Sequence, residues 1–211
     1  MANLLFHLSF PEPTYSEQII FDSFLDSVDG WNKQLQSGGQ IEYASDHVII
    51  RTGGAAGGGA LMYKKLGFPR LIPTWTKRRS FKIRAEVYHA NDAASENFIS
   101  SGMEMVGARG FGFQFINNKV QGYARNGTPS TFIDLITGLS PPWTRDEIWE
   151  AIFTPGSRVD FFISGSFLGT ITTNLPTGTS YADYLARLVT NAAAAVQHTI
   201  KTSEIRVVQE T

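Results

Sequence analysis

Residues 81 to 88 alternate strictly: Phe81, Ile83, Ala85 and Val87 are apolar, and Lys82, Arg84 and Glu86 between them are charged. A period of two is the side-chain repeat of a β-strand with one buried face, and an α-helix cannot satisfy it. The pattern returns at 158 to 164, where Val159, Phe161 and Ile163 alternate with Arg158, Asp160 and Ser164. Phe162 interrupts the polar side there, so that outer face is expected to be partly covered. Turn formers separate such runs. Asn117-Asn118 stands between 111–116 and 119–124 and suits a type I′ hairpin turn, since asparagine tolerates positive φ. Arg125-Asn126-Gly127, Thr154-Pro155-Gly156-Ser157 and Gly165-Ser166 mark further reversals. Turn signals at intervals of about 8 to 12 residues are the spacing of a β-sandwich.

No long segment keeps a 3.6-residue period. Residues 181 to 189, with Tyr184, Leu185 and Leu188 on one face, fit a single short helix as well as they fit a strand. The composition agrees with an all-β chain: 20 glycines and 15 phenylalanines favour strands and tight turns. The expected fold is a two-sheet antiparallel sandwich with at most one short helix. Sandwiches reach 211 residues as one domain, and neither linker nor internal repeat divides this chain. Residues 1–18 read as an N-terminal arm or first strand, and 19–211 as the sandwich.

With no cysteine, the chain has no disulfide scaffold, thiolate metal site or cysteine nucleophile. Eighteen basic residues against 19 acidic ones give a net charge of −1, which predicts no nucleic-acid or anionic-membrane partner. The apolar start, Met1 to Phe10, has no preceding basic residues and no small-residue cleavage site, so no signal peptide is expected. No apolar run approaches the ~20 residues of a membrane span.

Few residues point to chemistry. The run from Gly53 to Gly59 lacks the Gly-Lys-Ser/Thr ending of a phosphate loop and leads into a strand-like segment, so a flexible or closely packed loop is expected. Glu147 and Glu150 would fall on opposite faces of a strand. Asp146 and Glu150 share a face but lie roughly 13 Å apart, too far for paired-carboxylate chemistry. His7, His47, His89 and His198 stand singly, with no metal-ligand spacing among them. Ser164-Gly165-Ser166 is a hairpin turn and lacks the Gly-x-Ser-x-Gly of a nucleophile elbow. Trp75 and Trp143 lie in loop-like segments. Together with Tyr88 and Tyr123 they are candidate stacking platforms for sugar rings, although the reading that each loop folds back and buries its Trp as a plug over the core stands ahead of that one. Asp22, Asp26 and Asp29 are the candidate oxygen ligands for a structural Ca²⁺. No other cofactor is expected.

The strand and turn order resembles a known family. Phe21-Asp22-Ser23-Phe24, then Val28-Asp29-Gly30-Trp31, then Gly-Gly and a short strand, is similar to the opening of concanavalin A-like lectin and glucanase jelly rolls. Trp149 to Phe153, Pro155 to Gly165 and Thr172 to Pro176 resemble that fold's back-sheet hairpin, and Glu204 to Val208 its final strand. The resemblance implies a jelly roll of two curved sheets, with any ligand on the concave face or the rim loops. Glucanases of this fold carry Glu-x-Asp-x-x-Glu on one strand, and this chain has no such stretch.

The leading expectation is therefore a non-enzymatic structural or assembly protein, such as a virion-associated decoration, spike or tail protein of a bacteriophage. Its partners would be copies of itself or a larger assembly, docked through Leu4, Leu5, Phe6, Leu8 and Phe10. Its location would be the virion if phage-encoded, and otherwise the cytoplasm or outside the cell by a non-classical route. A carbohydrate-binding module, with glycans as partners, is the alternative. A glycoside hydrolase or lyase, with acids converging from different strands, is the third.

Overall fold

The computed structural model describes residues 17–21, 31–44, 46–65, 75–92, 94–102, 109–128, 130–178 and 184–210. Asp22, Asp26 and Asp29 lie outside them, as do Leu4, Leu5, Phe6, Leu8 and Phe10.

The described chain forms strands β1 (Glu17–Phe21), β2 (Trp31–Gln36), β3 (Gln40–Tyr43), β4 (Val48–Arg51), β5 (Gly59–Lys65), β6 (Arg79–His89), β7 (Asn97–Gly102) and β8 (Arg109–Ile116). It continues with β9 (Lys119–Asn126), β10 (Ser130–Ile136), β11 (Trp143–Thr154), β12 (Arg158–Ile163), β13 (Ser166–Ile171), β14 (Tyr184–Asn191) and β15 (Thr199–Glu210). One antiparallel sheet runs β13-β12-β11-β6-β15-β4-β3, with β1 pairing the far end of β15. The second runs β10-β9-β8-β7-β14-β5-β2. The chain passes repeatedly between the two, which makes a jelly-roll sandwich.

The alternation read in the sequence sets the inner faces. Phe81, Ile83, Ala85 and Val87 of β6 are fully buried, and meet Trp149, Ala151 and Phe153 across β11. Phe111, Phe113 and Phe115 of β8 project inward from the opposite sheet. Phe113 packs edge-on to Trp149 and Phe161, with ring centroids 5.5 and 5.6 Å apart. Gly122 of β9 lies under the Phe161 ring, and a Cβ there would stand 2.9 Å from three ring atoms.

One open choice is decided and two expectations change. Residues 184–191 form a strand; Leu188 pairs with Ile99 and Met62 inside the second sheet, whose burial outweighs the helical spacing. Asn117-Asn118 is a two-residue turn, but neither asparagine takes positive φ, so it is not type I′. The hairpin near 165 turns on Ser164-Gly165, with φ of 47° and 83°, one residue before the expected pair. Both ends of the glycine run pack closely, while residues 54–57 are exposed and nothing lies within 4 Å of a Cβ at Gly54 or Gly57. The run crosses from the first sheet to the second beside the 37–39 turn, and a Cβ at Gly39 would stand 1.9 Å from the Gly59 carbonyl oxygen.

Candidate functional site

The outward face of the second sheet carries the feature best suited to a ligand. Phe132 of β10 lies opposite Tyr123 of β9, which lies opposite Gly112 of β8, which lies opposite Ser100 of β7. Asp134, Gln121, Gln114 and Phe98 form the adjacent cross-strand row. The centre of this face is closed to solvent: Ser100, Gln114 and Tyr123 are all buried. Exposure returns at β10, the edge strand, where Phe132 is 43% exposed.

Neighbouring rings hold Phe132 in place. Tyr123 lies 6.1 Å from it between centroids, and Phe98 braces Tyr123 edge-on at 5.9 Å. Along the same edge, Gln121 donates from Nε2 to Asp134 Oδ1 at 2.6 Å, and Lys119 Nζ sits 3.0 Å from that oxygen. The hydrogen bond from Lys119, then that from Gln121, lowers the Asp134 pKa, so its carboxylate stays charged in ordinary buffers. An exposed apolar ring beside an amide, a carboxylate and an ammonium can meet the apolar face of a sugar and its hydroxyls together.

The four aromatics singled out from the sequence do not form one surface. Trp75 is 2% exposed and Trp143 7%, so neither offers a face for stacking. Trp75 packs on Phe111 and Phe153 and lies under the buried Arg79 guanidinium, 4.2 Å from its ring. Trp143 stacks on His89 and donates from Nε1 to the Asn117 carbonyl. Each plugs the core, because a large ring gains more from burial than a loop loses by folding over it. Tyr123 is buried as the brace of Phe132, and Tyr88 is half-buried on the outward face of the other sheet.

That other face holds a shallow polar basin of about 170 Å³, lined by Asp46, His47, Arg84, Glu86, Asp146, Lys201 and Ser203. Glu86 and Asp146 are direct cross-strand partners there, and Arg84 lies 4.0 Å from Asp146. Sequence spacing could not bring these acids together, because 60 residues and several strands separate them. Glu147 faces the opposite way from Asp146 and Glu150, binding Arg145 at 2.6 Å and the Ser164 hydroxyl at 2.6 Å. No group of three metal-ligating side chains occurs among the described residues. No described helix is long and apolar enough to cross a membrane.

A third cluster is buried at the sandwich end where the 52–58, 90–96 and 191–198 connections meet. Asp92 Oδ2 accepts the backbone N–H of Ala193 at 2.9 Å and of Ala194 at 2.8 Å, and also the Ser95 hydroxyl. The His198 Nε2 atom stands 3.8 Å from the same oxygen, and the His89 ring lies 4.4 Å from the His198 ring. Serine and histidine both address Asp92, and no imidazole stands between them. This is not the relay of a nucleophilic triad.

Comparison with known proteins bears on the fold alone. No protein-family model matches the chain. No curated protein matches it. Among solved structures, the binding domain of Paraclostridial Mosquitocidal Protein 1 superposes with a TM-score of 0.59 at 11% identity, over 92% of this chain and 49% of that one. A botulinum neurotoxin type C structure, whose cell entry depends on two ganglioside molecules, gives 0.58 at 10%, over 84% of this chain and 42% of that one. The chain thus spans about half the length of these toxin structures. The carbohydrate esterase of Shiga toxin-encoding bacteriophage phi24B gives 0.59 at 14%, over 92% and 100% of the two chains. A prokaryotic β-1,3-1,4-glucanase from a mouse hindgut metagenome is also similar, at 0.59 and 12% over 92% and 99%. At these identities the likeness shows the fold: the chain is a concanavalin A-like jelly-roll sandwich.

Proposed function

We propose that this protein is a non-catalytic binding module that takes glycans at the β9–β10 edge of its second sheet. One observation carries the reading. Phe132 is an exposed ring beside Tyr123, which Phe98 backs in turn, and is flanked by the Gln121–Asp134–Lys119 chain. A ring left in water on a rigid sheet, beside polar groups already fixed in place, loses little entropy on meeting a flat ligand. A binding role also fits a fold neighbourhood that includes toxin binding domains alongside carbohydrate-active enzymes.

The test is a glycan array on wild-type protein, followed by titration of the best ligand against Phe132→Ala and Asp134→Asn. Phe132→Ala is expected to weaken binding about tenfold, equivalent to about 1.4 kcal/mol, with the melting temperature nearly unchanged. Equal affinity in both variants and wild type rejects this site. If a glycan is instead cleaved, and Glu86→Gln or Asp146→Asn abolishes cleavage, the basin on the other sheet is an active site and the protein is a hydrolase.

A structural or assembly role, including that of a virion component, is the second reading. It is favoured by Phe167 and Leu168, which are 58% and 38% exposed on edge strand β13. Light scattering decides it. A closed oligomer that dissociates on Phe167→Ser supports assembly, and a monomer at every concentration rejects it.

A further inference from the structure

Three connections at one end of the sandwich have only alanines and Val196 as apolar side chains, yet they are tied together closely. The Thr52 hydroxyl accepts the His198 N–H at 2.8 Å and donates to the Val196 carbonyl at 3.1 Å, while the Thr52 N–H donates to the His198 carbonyl at 3.1 Å. The Gly57 N–H donates to the Ala192 carbonyl, and the Ala192 N–H to the Gly58 carbonyl, each at 2.9 Å. Asp92 holds the N–H groups of Ala193 and Ala194 from the third connection.

His198 sits at the centre and is fully buried. Its Nδ1 accepts the Ala90 N–H at 3.2 Å, so that nitrogen carries no proton and the ring is neutral with its proton on Nε2. His89, equally buried, donates from Nδ1 to the Ala90 carbonyl at 2.7 Å, which leaves its Nε2 a bare acceptor. Neither Nε2 has a hydrogen-bond partner among the described residues. A second proton on His198 must go to Nδ1, where it turns the acceptor of the Ala90 N–H into a donor facing a donor.

The charged surroundings do not offset that loss. The 90–96 connection supplies Asp92, whose near oxygen is already taken by Ser95, Ala193 and Ala194. From the same connection Glu96 is exposed, and the 52–58 connection supplies no titratable group. β6 supplies His89, a second base in ring contact. β11 supplies Trp143 against His89, and its next inward residue, Arg145, is paired with Glu147.

We propose that His198, with His89 and Asp92, is an acid-released latch: one protonation frees the 52–58, 90–96 and 191–198 connections together while both sheets stay folded. Burial, and then the neighbouring His89, holds the His198 pKa down at about 4 against an ordinary 6.5, and burial lowers that of His89 as well. The opened state therefore takes up the proton first. Release grows as pH falls below 6.5 and levels off near 4.

Hydrogen–deuterium exchange on the full chain at pH 7 and pH 4.5, corrected for intrinsic rates, tests this. The opening equilibrium of the three connections is expected to be roughly 60-fold higher at pH 4.5 than at pH 7 from His198 alone, with β6, β8 and β15 still the better protected. His198→Asn keeps an acceptor for the Ala90 N–H and cannot titrate, so its connections should not respond to acid. Unchanged protection in the wild type overturns the proposal, as does equal acid loss in the variant, or connections that exchange no faster than the strands at pH 4.5. If His198→Asn does not fold, imidazole NMR titration of the wild type decides. The His198 ring must titrate below the ordinary range, with Ala90, Ala193 and Ala194 amide shifts moving at that same midpoint. A normal midpoint, or amides that do not follow, overturns it.

Discussion

Two glycines in this molecule are fixed by different physics, and substitution separates them. Gly165 has φ of 83° with nothing within 4 Å of where a Cβ would stand, so its alanine variant meets backbone strain only. That costs about 1 kcal/mol. Gly122 is extended, but a Cβ there drives into the Phe161 ring at 2.9 Å, the contact that sets the spacing of the two sheets at this point. Gly122→Ala is expected to cost more, about 1–3 kcal/mol. Adding Phe161→Leu to Gly122→Ala should recover part of that loss, because the leucine vacates the ring's volume. No second change near residue 165 should rescue Gly165→Ala. Urea denaturation of the three variants, with the wild type alongside, measures both effects. Equal costs, or no recovery in the double variant, would show that the sheets shift to admit the methyl group.

At the scale of elements, the end connections depend on Thr52 more than on any side chain of the glycine run that follows it. Thr52→Val keeps the shape and removes one donor and one acceptor from a fully buried site. It leaves the His198 N–H and the Val196 carbonyl without these partners. The expected loss is about 1–3 kcal/mol in a thermal or urea melt. An unchanged midpoint would mean that water replaces the hydroxyl. The strands were legible where one face is buried and alternation is clean, as in β6 and β12. β14 was ambiguous because Tyr184, Leu185 and Leu188 satisfy helical spacing, and only pairing with β5 and β7 resolves them. The candidate clusters were not legible. His89 and His198, Glu86 and Asp146, and Phe98 and Phe132 are each joined by strand pairing between distant segments, and no local spacing encodes that. Trp75 and Trp143 stayed open between stacking and plugging for a related reason: proline-rich flanks mark a loop but say nothing of whether it folds back over the core.

For the molecule as a whole, acid sensitivity has a defined sign. His198 has a folded-state pKa of about 4, below its unfolded 6.5, so its contribution is complete above pH 6.5 and lost as pH falls toward 4. That contribution is about 3 kcal/mol. Asp92 follows the same direction lower down. The Ser95 hydroxyl and the N–H groups of Ala194, Ala94 and Ala193 outweigh its burial and hold its pKa at about 2 against 3.8, so its share is lost only in strong acid. Urea midpoints should therefore fall between pH 7 and pH 4.5 in the wild type, and by clearly less in His198→Asn. Equal falls would assign the sensitivity to other groups. A different consequence follows from the position of β15. It lies between β6 and the β4 and β1 strands, so the first sheet closes only around residues 199–210. While the chain is being synthesised, β6 stands with one edge bare until the ribosome has released that segment. Until then the nascent chain holds an unfinished sheet, the state in which strands from neighbouring chains add to one another.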